Sequence, residues 1–396
     1  MTPRTIYIYG NLDFMGKSAA TKRMLYYAKA LANQDNAVYL VSCSSNKFTQ
    51  EDFVEVAPKI FILEKKKLTY SLFSSLSFLR HLYRFSNDKA GEKVFLIYPQ
   101  SWFNLELLTV LYFILVKKRN VFYELNEVKK YSPAFHEPQS IKKIKYAIKT
   151  IVFKSKFIIM DSLMRFYDGL VCISTSIETY GKKYNKNTIY IPILTNPKIE
   201  PELSSTVYAR RNTVNIGFSG SIVPSKENLF QFIDVVLRVH DSGRKVTFNL
   251  CGTGSKKDLK RLAEKEGETI VYHGNLDENE LSSFLLQQDI LVLPRGFTLQ
   301  NKYGFSTKLS DYLNHKKVIL CTDISDNSLY IKNGLNGFVV EPDDMQMMHE
   351  RLVYIIENFS TIKDSIIENA FQTSREKFDY RLYEKSLQLF LNQRPS

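Results

Sequence analysis

The sequence predicts an α/β protein of two doubly wound domains, each a parallel sheet covered by helices. Three observations predict it. The 396 residues exceed what one compact core usually holds. Short β-rich runs alternate with segments of helical spacing through both halves. Between the halves, residues 193–213 lack periodicity and carry Pro197, Pro201, Ser204 and Ser205, as an interdomain linker does.

The elements follow in order. Residues 5–9 are rich in β-branched and aromatic side chains and read as a strand. A loop over 10–16 leads to helical apolar spacing over 19–32. Further strands are read at 37–42, 93–98, 120–125 and 169–174, with the apolar segment 105–116 between two of them. The second half restarts at 214–219, followed by a helix over 228–242 and a strand over 245–251. Strands at 270–273, 290–294, 318–322 and 337–340 alternate with helices over 278–288, 307–313 and 345–358. A last helix is read over 376–392. Alternation of this kind implies parallel sheets buried on both faces. Ligands of such sheets bind beyond the carboxyl ends of the strands, here expected where the two sheets face each other across a cleft.

Composition narrows the class. Hydrophobic residues are 44% and charged residues 24%, a globular balance with material for two cores. Cys43, Cys172, Cys251 and Cys321 form no C-x-x-C pair and sit in or beside apolar runs, which reads as buried reduced thiols. The His and Cys spacing offers no metal cluster. The N-terminus begins as a strand rather than a signal peptide. The apolar run 105–116 is half the roughly 20 residues that span a bilayer, so a cytoplasmic protein is expected. Net charge is +13, and residues 1–200 hold 30 Lys and Arg against 16 Asp and Glu. The basic half predicts an anionic partner.

Three stretches carry chemistry. In the first, a strand ends at Gly217 and Gly220, Ser221 follows, and Lys226 stands six residues after Gly220. Small residues there admit backbone N–H groups to a phosphate, and the lysine adds charge. The second is a strand end followed by Gly252-Thr253-Gly254. The third runs from Pro294-Arg295-Gly296 through Tyr303-Gly304-Phe305-Ser306-Thr307-Lys308 to Asp311. A helix start near Ser306 and Thr307 offers unpaired N–H donors and a positive dipole end for a diphosphate. Asp311, one turn further, lies near the same face and suits ribose hydroxyls. No full G-x-G-x-x-G follows the first strand, which disfavours a nicotinamide or flavin enzyme.

These stretches, in this order, resemble the GT-B retaining glycosyltransferases of group 1, in their polysaccharide-assembly branch. That family's G-R-L-x-x-x-K-G segment is matched by Gly220, Ile222 and Lys226, with Ser221 in place of the arginine and Glu227 in place of the last glycine. Its G-x-G is matched by Gly252 and Gly254. Its E-x7-E motif looks like Tyr303 to Asp311, with Tyr303 in place of the sugar-binding glutamate. Lys317–Asp323 and Asn336–Val340 resemble two further segments. In the first half, Gly16 matches a glycine loop, while Asn126 and Glu127 stand where the family usually has His-Asp. The resemblance implies two Rossmann-like domains. Residues 1–195 would bind the acceptor, 196–213 link, and 214–373 bind the nucleotide sugar. Residues 374–396 would form a helix packing back toward the first domain. It implies Lys226, Asn126 and Glu127 as catalytic, with Asn126 limited to hydrogen bonding and Glu127 an acid or base. The donor would be held by Gly16, Ser221, Lys226, Gly252, Gly254, Arg295, residues 303–308 and Asp311.

The acceptor is read from the basic half. Ile141, Ile144, Ile148 and Ile151 fall on one helical face, with Lys142, Lys145 and Lys149 opposite. A basic amphipathic helix signals an anionic membrane surface, so peripheral attachment to the inner membrane face and a lipid-linked saccharide acceptor are expected. Lys226, Arg295, Lys308 and the helix start would stabilise the leaving diphosphate, so no metal or other cofactor is expected. A GT-B nucleotide-sugar epimerase is the alternative. Nucleic-acid binding by the basic half is a weaker one, and no nucleic-acid partner is expected.

Overall fold

The computed structural model describes residues 4–16, 18–43, 47–63, 71–99, 103–131, 143–197, 213–224 and 226–393, with the backbone alone for 143–150 and 153–154. It divides into two compact units, Met1–Leu194 with Tyr380–Ser396, and Thr195–Asp379.

The first unit carries strands β1 (Arg4–Gly10), β2 (Asn36–Ser42), β3 (Phe53–Ala57), β4 (Ile60–Leu63), β5 (Glu92–Ile97), β6 (Asn120–Leu125), β7 (Gly169–Cys172) and β8 (Thr188–Tyr190). They form one sheet in the order β3-β4-β2-β1-β5-β6-β7-β8. The β3–β4 pair is antiparallel and the other neighbours run parallel. Its helices are α1 (Ala19–Leu31), α2 (Leu72–Asn87), α3 (Asn104–Leu108), which continues as a π-helix over Thr109–Val116, α4 (Lys143–Leu163) and α5 (Thr175–Gly181). Ser18 caps α1 by accepting from the Thr21 N–H at 3.1 Å. The helix then buries Met24, Tyr27, Ala28 and Leu31 against the sheet. Arg23 on the same helix is buried with Glu124 of β6: its Nε donates to Oε1 at 2.6 Å, and its Nη atoms donate to the carbonyls of Pro192 and Ile191.

The second unit is a parallel sheet of β9 (Val214–Ser219), β10 (Val246–Cys251), β11 (Ile270–Tyr272), β12 (Ile290–Leu293), β13 (Val318–Thr322) and β14 (Phe338–Val340), ordered β11-β10-β9-β12-β13-β14. Its helices are α6 (Leu229–Asp241), α7 (Lys256–Ala263), α8 (Glu278–Leu286), α9 (Leu299–Lys302), α10 (Thr307–Asn314), α11 (Asn327–Tyr330) and α12 (Met345–Lys377). Phe232 and Phe248 meet edge to face at 5.1 Å in its core. Helix α13 (Glu384–Leu391) follows a 3₁₀ turn and belongs to the first unit, where Leu387, Phe390 and Leu391 enter the core.

The structure departs from the sequence reading at several elements. The helix read over 345–358 runs unbroken to Lys377, because Ile366, Ala370 and Phe371 keep its buried stripe going. The second unit accordingly extends to Asp379, where the Thr195 N–H donates to the Phe378 carbonyl at 2.7 Å. The helix read over 376–392 is confined to α13. Strands β3, β4 and β8 and helices α2, α5, α7, α9 and α11 have no counterpart in the sequence reading, although β4 is an unbroken run of four apolar residues. Of the linker expected over 196–213, residues 198–212 lie outside the described residues, as do Ile141 and Lys142. The side chains of Ile144, Lys145, Ile148 and Lys149 also lie outside them.

Candidate active site

In the second unit the strand order reverses between β9 and β12, which are neighbours although not consecutive. That switch point is where open parallel sheets leave a crevice for ligands. The loop after β9 brings Lys226 and Glu227 there, and the loop after β12 brings Arg295. Helix α10 adds Lys308 in its first turn. The four charges form one cluster. Glu227, 1% exposed, accepts through Oε1 from Lys308 Nζ at 2.7 Å and from Arg295 Nε at 3.3 Å. Burial works against the charged carboxylate, but Lys308, Arg295 and Lys226 outweigh it and hold its pKa below the ordinary value. For Lys308, burial and the neighbouring Arg295 and Lys226 prevail over Glu227, and its pKa is lowered. Three cations thus surround one carboxylate in the cluster.

Backbone geometry around the cluster depends on two glycines. Gly220 and Gly252 have φ of +135° and +132°. A Cβ on Gly252 would stand 1.9 Å from the Gly220 carbonyl oxygen, and a Cβ on Gly220 would stand 2.2 Å from Lys308 Cε. The G-x-G stretch thus packs first against the β9 loop: the Gly220 N–H donates to the Cys251 carbonyl and the Ile222 N–H to the Thr253 carbonyl. Gly254 pairs with Ile222 across a β-bridge. Ser221 is exposed at the turn. Asn301 fixes the loop ends, its Nδ2 donating to the carbonyls of Lys226 at 2.8 Å and Gly296 at 2.9 Å.

Helix α10 begins beside these loops. Ser306 occupies the N-cap with no side-chain capping bond, and its buried Oγ has no hydrogen-bond partner among the described residues. The helix is instead anchored by Tyr312, whose hydroxyl accepts from the Ser219 N–H at 2.9 Å at the end of β9. Thr307, Lys308 and the partly exposed Asp311 share this helix, with Thr307 and Asp311 four residues apart. Tyr303 closes α9, and the Gly304 carbonyl accepts from the Ser325 hydroxyl. Phe305 was read as a donor contact. Its ring is buried against Tyr330 and Phe378, which makes it an anchor for the loop.

The remaining candidates, Gly16, Asn126 and Glu127, belong to the first unit. Gly16 lies in the turn after β1, its N–H donating to the Asp13 carbonyl. Asn126 and Glu127 follow β6, at the same carboxyl edge of the sheet with β5 between. Burial raises the pKa of the nearby Tyr98 hydroxyl, against a hydrogen bond with Asn126. Two carboxylates were missed by the sequence reading. Glu106, 1% exposed, is the single charge in the apolar run 105–116, a signal open to notice. Burial lowers the pKa of Lys129, while Glu106 and Glu127 oppose that shift. The second is Glu227, which reads only as a departure from a glycine. Among the described residues no group of three or more His, Cys, Asp or Glu could hold a metal.

Known proteins resemble the chain in part of its sequence and in its fold. Residues 213–358, which contain the whole charge cluster, match the family model described as glycosyl transferases group 1. The chain resembles sucrose-phosphate synthase from Thermosynechococcus elongatus with a TM-score of 0.74 at 12% identity, covering 98% of both chains. It resembles a glycosyltransferase from Rickettsia africae with a TM-score of 0.66 at 15% identity, over the full length of both. Anabaena HepE in complex with UDP-glucose gives 0.68 at 14% identity, over 98% of this chain and 99% of that one.

The fold is GT-B. Its second unit carries the group 1 match. An uncharacterized 41.2 kDa protein in the cps region of Klebsiella pneumoniae is 25% identical over 141 residues, and the matched stretch spans 36% of each protein.

Proposed function

We propose that the protein is a retaining glycosyltransferase that moves a sugar from a nucleotide-sugar donor to a lipid-linked saccharide acceptor in polysaccharide assembly. The observation that carries the donor reading is the charge cluster at the β9/β12 switch point. Lys226, Arg295 and Lys308 outnumber Glu227 beside an uncapped helix start, an arrangement suited to a diphosphate carrying two negative charges. A GT-B neighbour bound to UDP-glucose and the group 1 match support it.

In the proposed reaction the acceptor hydroxyl attacks the anomeric carbon on the face the diphosphate leaves. As the new carbon–oxygen bond forms, the bond to the diphosphate breaks, the nucleoside diphosphate departs with its electron pair, and the acceptor's proton passes to the departing phosphate oxygen or to Glu127 as base. Lys226, Arg295, Lys308 and the N–H groups at the start of α10 stabilise that developing charge, a role worth about 3–4 kcal/mol for a single well-placed donor. These cations supply the positive charge that a divalent metal would otherwise provide. Asp311 holds the ribose, Asn126 hydrogen-bonds the sugar, and Glu127 serves as acid or base.

The membrane and acceptor part of the proposal draws on the first unit. Helix α3 packs against both α2 and α4 in one layer. That layer exposes Phe73, Leu115, Val116, Ile151, Val152 and Ile158. Lys117, Lys118 and Arg119 follow directly on the π-helix. Apolar side chains bordered by cations fit the surface of an anionic bilayer, where each lysine contributes about 1 kcal/mol. No helix among the described residues is long and apolar enough to cross a membrane. The cps-region relative supports the link to polysaccharide assembly.

Thermal-shift titration with UDP-, GDP- and ADP-sugars tests the donor reading. A donor at one hundred times its Kd stabilises by about 2.7 kcal/mol. A flat response to every nucleotide sugar contradicts it.

A further inference from the structure

We infer that Glu227 is a positioning residue that fixes Lys308 and Arg295 for the leaving diphosphate; this rests on the donor site proposed above. The three residues come from three elements: the loop after β9, the loop after β12 and the first turn of α10. One carboxylate oxygen joins them, accepting from Lys308 at 2.7 Å and from Arg295 at 3.3 Å. The other oxygen, Oε2, is buried with no hydrogen-bond partner among the described residues. A buried carboxylate gives up its hydration, and a buried ion pair is by itself a weak source of stability. Glu227 therefore has little to recommend it as a stabilising device. Its value lies in where it holds its partners.

Lys308 shows how. Its stem crosses Gly220 so closely that a Cβ there would stand 2.2 Å from Lys308 Cε, and its ammonium lies 4.4 Å from the Phe218 ring centre. The tip then reaches Glu227. The groups facing that ammonium are Glu227 and Lys226 from the β9 loop, Arg295 from the β12 loop and Cys251 at the end of β10. Tyr312 of α10 itself approaches Glu227. Glu227 supplies the negative charge in that set. With Gln at 227, Lys308 keeps its burial and its two cationic neighbours but loses its counter-charge. It then gives up its proton at lower pH and is no longer drawn to one place.

The test is binding of inorganic pyrophosphate by calorimetry from about pH 6.5 to about pH 9.5, for wild type, Glu227→Gln, Glu227→Asp and Lys308→Arg. The ratio of two affinities at one pH cancels the probe's own ionisation. The wild-type to Glu227→Gln ratio should grow about tenfold between neutral and alkaline pH, the effect of a one-unit fall in the lysine pKa. Glu227→Asp should recover most of the loss. Lys308→Arg, which does not titrate, should remove the alkaline loss seen in wild type, and this arm holds even where Glu227→Gln fails to fold. A pH-independent ratio, or an alkaline loss that persists in Lys308→Arg, overturns the role of Glu227. Wild type that binds neither pyrophosphate nor UDP, GDP or ADP at any pH overturns the donor site itself, and the role with it.

Discussion

Gly252 and Gly220 meet back to back, so that a Cβ on Gly252 would stand 1.9 Å from the Gly220 carbonyl oxygen. Both residues also hold φ values that side chains rarely adopt. The obstacle at Gly252 is backbone, whereas at Gly220 it is the flexible end of Lys308. Gly252→Ala should therefore lower the unfolding free energy by about 3 kcal/mol or more. Gly220→Ala should cost less stability and act through the displaced lysine. Chemical denaturation of both variants checks the order. A Gly252→Ala protein as stable as wild type would show that the two loops can part.

The buried pair of Arg23 and Glu124 offers a second test, confined to the first unit. Their side chains are 3% and 0% exposed. Glu124→Gln leaves a buried guanidinium without its counter-charge and should destabilise by about 3–5 kcal/mol. Pairing it with Arg23→Met should recover part of that loss, because no uncompensated charge remains. Denaturation midpoints of wild type and the two variants decide it. Equal loss in the single and double variants would mean that packing, not charge, sets the cost.

Asp168 gives a pH dependence with a definite sign. Burial pushes its carboxyl from the ordinary 3.8 up to about 6, against the Val121 N–H that it accepts. The folded state thus keeps a proton that the unfolded state has already lost. Its stabilising contribution is complete below about pH 4 and is lost as pH rises through about 6. Asp168→Asn should gain stability relative to wild type across that window, by about 1 kcal/mol once partial solvent screening is allowed for. Melting temperatures at pH 4.5 and pH 7 measure the gap. A gap that shrinks with rising pH contradicts the sign.

Much of the fold was legible in the sequence because parallel strands buried on both faces read as short apolar runs. The misses have local causes. In α12 the run Asn358-Phe359-Ser360-Thr361 favours a break, yet Ile362 and Ile366 return to the core and carry the helix through. The β3–β4 hairpin turns at Lys59 with φ of +64°, where a sequence reader looks for glycine. In the charge cluster, Lys226, Arg295 and Lys308 lie at strand ends and a helix start that the sequence marks. Glu227 was not legible, because the meaning of a carboxylate beside a lysine depends on what the fold brings to it. The packing of the Phe305 ring was not legible either, because its partners Tyr330 and Phe378 are distant in sequence.

The exposed apolar side chains of α4 and the π-helix make the membrane proposal testable. Ile158→Glu combined with Val116→Glu should weaken binding to anionic vesicles by about a hundredfold or more, since two aliphatic side chains at about 1.5–3 kcal/mol each are withdrawn from the bilayer surface. Nucleotide binding should be unchanged. Equal sedimentation of wild type and variant would contradict the proposed surface.

The most direct measurement is calorimetric binding of UDP, GDP and ADP to wild type and Lys226→Ala, with turnover of the matching nucleotide sugar. One of the three should bind wild type at micromolar to sub-millimolar concentration. Lys226→Ala should keep its melting temperature and lose about 10²–10³-fold in turnover. No binding of any of the three at millimolar concentration, or full turnover by Lys226→Ala, would contradict a diphosphate site at the β9/β12 switch point.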